Sequence, residues 1–201
     1  MSKKGVVFII IGVLCLASAA ALLMFNKVES DNAYSESVRI AGIMTEQMKS
    51  AENKDVEFPT NNPDREMPEI YVEGMGYTGI LEIPDLDLML SVASEFDYGT
   101  LQISPCIYSG SMYTRDLVIA AHNYDMHFGR ISSLNFDSKV IFTDTENHRY
   151  VTQVVDIETL RPDQVEELTT KTKKNDWDLT LFTCNYSGSE RVTLRCKLVK
   201  Q

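Results

Sequence analysis

A cysteine and a histidine, each at the end of an apolar run, are the residues of this chain best suited to chemistry. Cys184 ends the alternating run Leu179–Cys184, and His122 follows the short apolar run 117–121. Both runs predict buried strands. If the two strands meet at one rim of a barrel, the imidazole can assist a thiol nucleophile. The plainer interpretation is that the cysteine is a small buried hydrophobe and that the histidine is structural.

A cation that could stabilise a developing oxyanion follows the cysteine. Arg191 heads a second alternating run, and a guanidinium there could donate hydrogen bonds to the negative oxygen. Arg195 is the rival, because residues four apart on a strand share a face. We prefer Arg191 because it is nearer to Cys184 in sequence. The backbone N–H after Cys184, or the Thr183 region, is a further candidate donor.

Composition excludes several classes of function. The chain has 201 residues and a formal net charge of −10, which argues against nucleic-acid binding, since that depends on basic patches. Its four cysteines form no CxxC pair and no Cys/His cluster at zinc spacing, which argues against a thiol-redox protein and a structural metal. We predict that Cys106 and Cys196 are structural and that no cofactor is needed; the sequence is uninformative about calcium.

The N-terminus predicts a membrane anchor over residues 1–26. Residues 5–25 carry no charge and are long enough to cross a bilayer as a helix. The preceding lysines predict a cytoplasmic N-terminus, with everything after Asn26 outside the cell, as a single-pass membrane protein. A cleaved signal peptide is the alternative, because Ala17-Ser18-Ala19 resembles a cleavage site. The apolar run continues to Phe25, which favours a retained anchor.

The rest of the chain predicts a spacer and one β domain. Residues 27–70 indicate an extracellular spacer with a short amphipathic helix, followed by a proline-broken loop; whether the helix packs on the domain is left open. Residues 71–201 predict an all-β fold, a closed or nearly closed antiparallel-rich barrel of seven or eight short strands with minor helices. One of these strands is expected over residues 101–108, and a hairpin over residues 139–157.

Four segments resemble the sortases, the cysteine transpeptidases of Gram-positive cell surfaces. Thr-Leu-Phe-Thr-Cys at 180–184 resembles the TLxTC motif of this family, and the strand led by Arg191 resembles the one that follows it. Residues 118–123 resemble the histidine segment, and residues 79–84 resemble the opening strand. The likeness covers roughly residues 77–199, in matching order, and implies a sortase-like barrel.

The resemblance also implies roles for the candidate residues. Cys184 would attack the scissile carbonyl to form a thioacyl enzyme, and His122 would protonate the leaving amine and deprotonate the incoming one. Arg191 would stabilise the oxyanion and help to hold the peptide. The candidate substrate contacts are Thr183, Ala121 and Asn123, which lie next to or within the two motifs. Many sortases have glycine where this chain has alanine before the histidine.

The expected substrate is a secreted protein with an LPxTG-like sorting signal. The acceptor would be an amine of peptidoglycan or its lipid-linked precursor, or a pilin lysine. Pilin-polymerising sortases usually carry an Asp-Pro-aromatic lid motif, whereas here Pro63-Asp64 has the reverse order. Two alternatives remain open: a pilin-polymerising sortase, and a catalytically silent, membrane-anchored β-domain that binds peptide or cell-wall material. With ordinary pKa values, only about one per cent of such a site would be thiolate–imidazolium near neutrality.

Overall fold

The computed structural model describes residues 3–51, 65–171 and 176–199. The reversed motif at Pro63-Asp64 lies outside these ranges. The described residues form two α-helices, α1 (Lys3–Ala51) and α2 (Tyr98–Leu101). Short 3₁₀ helices cover Pro84–Leu86, Ile131–Ser133 and Pro162–Leu168. The strands are β1 (Ile70–Val72), β2 (Met75–Ile83), β3 (Leu88–Ala93), β4 (Cys106–Ser109), β5 (Leu117–Ala120), β6 (Lys139–Asp144), β7 (Arg149–Leu160), β8 (Leu179–Cys184) and β9 (Arg191–Leu198).

The strands form a closed barrel. Eight of them follow the order β2-β3-β4-β5-β8-β9-β7-β6, β6 pairs with β2 to close the circle, and β1 adds to the side of β2. The predicted closed barrel is therefore confirmed, with one extra strand. Most pairs are antiparallel, but β3–β4 and β5–β8 are parallel. The hairpin predicted over residues 139–157 is present as β6 and β7.

One predicted strand is wrong in its first half. The side chain of Asp97 accepts hydrogen bonds from the N–H groups of Gly99 and Thr100, which caps the short helix α2. The cap turns the chain into a helix up to Leu101, so β4 begins only at Cys106.

Two apolar cores share the barrel wall because side chains alternate between its faces. The interior is filled from nearly every strand, by residues such as Leu81, Leu90, Ile119, Leu181 and Leu194. The second core lies outside the wall and is covered by the C-terminal half of α1. It contains Ile40, Met44, Val118, Trp177 and Phe182, among others.

Helix α1 is a single element of 49 residues, about 74 Å long at the standard rise. Its N-terminal half is exposed and apolar and, by length and composition alone, could cross a membrane. The predicted boundary between residues 26 and 27 falls inside this helix, and the amphipathic segment of the spacer continues the apolar one without a break.

The C-terminal half of α1 contacts the barrel from one rim to the other. Its hydrogen bonds join Ser30 Oγ to the N–H of Met126 (3.2 Å), Tyr34 to the carbonyl of Asp87 (3.3 Å), Ser37 Oγ to Ser91 Oγ (3.0 Å), and the carbonyl of Met48 to Asn147 Nδ2 (3.1 Å). The helix is thus part of the folded domain, which answers the packing question that the sequence left open.

We predict that Met44→Ala destabilises the domain by about 3 kcal/mol, because the Met44 side chain is completely buried and its loss leaves a cavity between helix and barrel. Val38→Ala is the matched control on the same helix, where the side chain is exposed, and should change stability by about 0.5 kcal/mol or less. Urea unfolding of the full chain in detergent measures both. Equal stability of the two variants would contradict the docked helix.

Candidate active site

The parallel pairing of β5 with β8 brings the two motif strands side by side. Ala120 is the Cα partner of Phe182, and the N–H of Ala121 donates to the carbonyl of Phe182 at 3.2 Å. Continuing this register by two residues places His122 opposite Cys184. Neighbouring strands lie about 4.8 Å apart, so both residues stand at the same rim of the barrel.

The same rim receives Arg191, which is the Cα partner of Cys184 in the antiparallel pairing of β8 with β9. Alternation sets the direction of these side chains. Leu181 of β8 and Ala121 after β5 belong to the interior core. Cys184 lies three positions after Leu181 and His122 lies one position after Ala121, so both side chains project from the outer face. The structure thus brings together all three residues predicted to be catalytic.

Ala121 and Thr183 support these residues from the interior side. The hydroxyl of Thr183 donates to the carbonyl of Ala121 at 2.8 Å, which ties the two motif strands together beyond their last ladder pair. Ala121 is 6 % exposed and Thr183 is 3 % exposed, so the protein encloses most of both side chains, and substrate contact at these two positions stays a prediction. The backbone at Ala121 has no positive φ, so alanine in place of glycine causes no strain here.

Asn123 joins the loops that follow the two motif strands. Its side-chain amide donates to the carbonyl of Asn185 at 3.4 Å. Substrate contact by the half-buried Asn123 stays a prediction. The N–H of Asn185, considered above as an oxyanion donor, already donates a hydrogen bond to the carbonyl of Glu190 at 3.0 Å. That leaves Arg191 as the better candidate for the oxyanion.

His122 is held by an aromatic neighbour. Its half-buried imidazole stacks on the ring of Tyr124 at 4.9 Å between centroids and 28° between planes. The carbonyl of His122 accepts a hydrogen bond from the N–H of Phe128 at 3.2 Å. Burial lowers the pKa of His122 below its ordinary value, and the carboxylate of Glu29 opposes this shift. The imidazole is therefore mainly neutral near pH 7.

Helix α1 supplies that carboxylate, and sequence reasoning missed it. Burial raises the pKa of Tyr124, and the negative charge of the nearby Glu29 carboxylate raises it further. Glu29 and Tyr124 lie far apart in the chain, so no local pattern links them. His127 is fully buried beside Tyr124, and burial lowers its pKa to about 4, which keeps it neutral.

The four cysteines, all free thiols, differ in accessibility. Cys184 is partly exposed, whereas Cys106 and Cys196 are completely buried in the outer and interior cores, respectively. Burial raises the pKa of Cys106 and of Cys196 to about 12, so neither forms thiolate at neutral pH. Both have the surroundings expected of structural cysteines. Cys15 lies in the apolar half of α1.

The two candidate arginines have different environments. Arg191 is partly buried, and its Nη1 donates to the carbonyls of Gly188 and Glu190 at 3.2 and 3.1 Å. Within the described part of the chain its Nε and Nη2 make no hydrogen bond, so they can serve a bound peptide.

Arg195 is fully buried, and each nitrogen of its guanidinium already donates a hydrogen bond to the protein. It pairs with Glu158 at 2.9 Å, stacks over Trp177 at 5.0 Å, and donates to Thr180 Oγ1 at 2.9 Å. Two main-chain carbonyls of the 3₁₀ helix Pro162–Leu168 also accept from it. Arg195 therefore fixes this helix to the barrel, and its complete burial among these partners makes it a poorer candidate than Arg191 for an oxyanion.

One group of side chains could hold a metal ion. The ligand atoms of Asp144, Glu146 and His148 lie within 4.8 Å of one another at the β6–β7 turn. The carboxylate of Asp144 already accepts from Tyr113, at 3.1 Å, and lies 2.8 Å from His148 Nδ1, while Glu146 pairs with Arg65. This turn lies at the rim opposite Cys184, so an ion there would not touch the candidate catalytic residues.

Comparison with known proteins agrees with this barrel. The family model described as Sortase domain matches residues 81–199, which is more than half of the chain. The chain therefore belongs to the sortase family, and the recognition made from its motifs is confirmed. Membership of this family supports a transpeptidase role in general terms, and sorting-signal proteins and amine acceptors are the substrates that the family implies. A search of curated proteins found no match.

Solved sortases of several classes share the fold. The sortase D5 transpeptidase of Clostridium perfringens is 16% identical, with a TM-score of 0.60, over 81% of this chain and 99% of that one. Sortase A of Corynebacterium diphtheriae is 16% identical, with a TM-score of 0.56, over 90% and 96%. Sortase C-3 of Streptococcus pneumoniae is 20% identical, with a TM-score of 0.55, over 83% of each chain. At these identities the likeness shows the fold and leaves the class open.

We predict that substitutions of the two arginines reduce stability by very different amounts. Arg195→Gln should destabilise the fold by about 3 kcal/mol, because it leaves Glu158 and several buried acceptors without their partner. Arg191→Gln should cost about 1 kcal/mol or less, because the side chain bonds only to carbonyls of its own loop. Denaturant unfolding of both variants measures this. A marked loss of stability in Arg191→Gln alone would reverse the two assignments.

Proposed function

We propose that this protein is a membrane-anchored cysteine transpeptidase that cleaves an LPxTG-like sorting signal of secreted proteins and transfers the product to an amine of the cell wall. One observation carries the proposal. The β5–β8 register sets His122 opposite Cys184 on one outer rim, and the β8–β9 register adds Arg191 as the Cα partner of Cys184.

The three residues divide the reaction between them. The thiolate of Cys184 attacks the scissile carbonyl carbon, and the developing oxyanion accepts hydrogen bonds from the free N–H groups of Arg191. Collapse of this intermediate breaks the peptide C–N bond, and His122 gives its proton to the leaving amine. A second amine then attacks the thioester and passes a proton to His122. The C–S bond breaks, and Cys184 leaves as the thiolate.

The protonation state of the site follows from the burial of His122. Because burial lowers the pKa of the imidazole, the thiolate–imidazolium form is an even smaller fraction than ordinary pKa values imply. The reaction therefore uses a minor, reverse-protonated population. The stack on Tyr124 and the carboxylate of Glu29 favour that population, because one orients the imidazole and the other stabilises its positive charge.

The apolar half of α1 provides the anchor. It is exposed along residues 5–25 and is followed by a domain that needs the rest of the same helix for its core. The lysines at the N-terminus favour a cytoplasmic end, with the barrel on the outer surface. Retention of the segment is favoured over cleavage at Ala17-Ser18-Ala19, because the helix is continuous across that site.

A wall-anchoring sortase and a pilin-polymerising sortase differ in the amine that completes the reaction. Mass spectrometry of the transfer product with a cell-wall peptide or a pilin lysine as acceptor distinguishes the two.

The silent β-domain was suggested by Ala121 and by the unknown placement of His122 relative to Cys184. The unstrained backbone of Ala121 and the shared rim now favour catalysis over that alternative.

We predict that Cys184→Ala reduces cleavage of an LPxTG-like peptide to background while the fold is retained, since the nucleophile is lost and the side chain is only partly buried. Cys15→Ala, in the apolar half of α1, is the matched control and should keep full activity. Peptide cleavage and the mass of a thioacyl adduct are the measurements. Full activity of Cys184→Ala would refute the mechanism, and failure of a thiol probe to label Cys184 selectively would favour the silent domain.

We predict that Glu29→Gln shifts the pH–rate profile. Removal of the carboxylate lowers the pKa of His122 further, so the acidic limb of kcat/KM moves to lower pH. The maximal rate also falls, because a lower pKa of His122 leaves less of the enzyme with a protonated imidazole. Asp31→Asn, an exposed carboxylate on the same helix, should leave the profile in place. An unchanged acidic limb in Glu29→Gln would show that α1 has no electrostatic effect on His122.

A further inference from the structure

Helix α1 leads directly from its apolar segment to the catalytic rim. Near the catalytic rim, Ser30 Oγ accepts a hydrogen bond from the N–H of Met126 in the loop after His122. Ser30 lies five positions after Phe25, the last residue of the apolar run. At the helical rise this is about 7.5 Å along the axis.

The opposite rim lies much farther along the same helix. The last of the hydrogen bonds described above joins the carbonyl of Met48 to Asn147 in the β6–β7 turn. From Ser30 to Met48 the helix rises about 27 Å. Because α1 is a single helix that is docked at both rims, its apolar end fixes which rim is nearer to a bilayer.

We propose that the rim that carries Cys184 and His122 faces the lipid headgroup layer of the membrane in which α1 is anchored. The headgroup layer extends roughly 5–7 Å beyond the hydrocarbon on each side, which is comparable with the distance from Phe25 to Ser30. The placement rests on the anchor, and its catalytic meaning rests on the proposed function. The preferred substrates are then peptides held in the same membrane, with the cleavage site just outside the hydrocarbon.

The surface of this rim indicates how the contact is maintained. This rim exposes the acidic residues Asp87 and Asp125, which do not attract an anionic membrane. The docked helix, rather than these charges, therefore holds the rim in place. Phe136 and Tyr186 are exposed on the same rim, at 64% and 90%, and aromatic side chains suit a membrane interface. Exposed aromatics alone do not decide the orientation, because Tyr71, at 67%, lies at the far rim.

These aromatic positions provide a matched test of orientation. Phe136→Trp and Tyr71→Trp each add one indole to the chain, whose own Trp177 is fully buried and serves as the background. The full chain is reconstituted in phosphatidylcholine vesicles, with or without bromine on the upper acyl chain, which quenches indole only at short range. The added emission of Phe136→Trp should be largely lost and that of Tyr71→Trp retained. Tyr186→Trp repeats the test at a second near-rim position.

Equal quenching at positions 136 and 71, or stronger quenching at 71, would overturn the proposal. This measurement needs no enzymatic activity. It therefore stands even if the chain cleaves no LPxTG-like peptide, a result that would count against the proposed function instead.

A second experiment tests the consequence for substrates. Seven helix-forming residues inserted after Lys27 raise the barrel by about 10 Å while the docked face turns by only about 20°. Cleavage of a soluble LPxTG-like peptide should be unchanged. Cleavage of the same peptide tethered to the vesicle by a short lipid anchor should fall several-fold, and a longer tether should restore it. Unchanged cleavage of the short-tethered peptide would overturn the proposal.

Discussion

The parallel pairing of β5 with β8 is the constraint on which the site depends. Two strands that are distant in sequence run in the same direction, so their C-terminal ends, and the residues just after them, meet at one rim. An antiparallel pairing would send His122 and Cys184 to opposite rims. The Thr183–Ala121 hydrogen bond extends the pairing past the last ladder residues and limits the freedom of both side chains. The imidazole and the thiol thus derive their relative position from the barrel wall.

Helix α1 has more than one role in this arrangement. Its C-terminal half completes the second core, and its residues near the catalytic rim reach the loop that carries His122. Glu29 acts on the imidazole from outside the barrel and contacts Tyr124, which stacks on the same ring. The electrostatics of the site therefore depend on an element that composition alone would assign to anchoring.

The sequence predicted the features that local patterns encode. Alternating runs gave the barrel strands, and the motif around Cys184, with His122 and Arg191, gave the family. Long-range packing was less accessible. Nothing local indicates that Glu29 lies near Tyr124, that Arg195 binds two carbonyls of the 3₁₀ helix, or that Thr183 faces the interior core. The short helix before β4 was missed because a single capping residue, Asp97, outweighed the apolar pattern that follows it.

The shared core between α1 and the barrel has a consequence for isolating the domain. A fragment that begins at the first strand would expose the apolar outer wall around Tyr77, Ile80 and Val118, which Met44 and its neighbours normally cover. Exposed patches of this kind promote aggregation. A soluble fragment that retains the native surface has to begin close to Lys27, just after the apolar run, so that the whole docked half of the helix is kept.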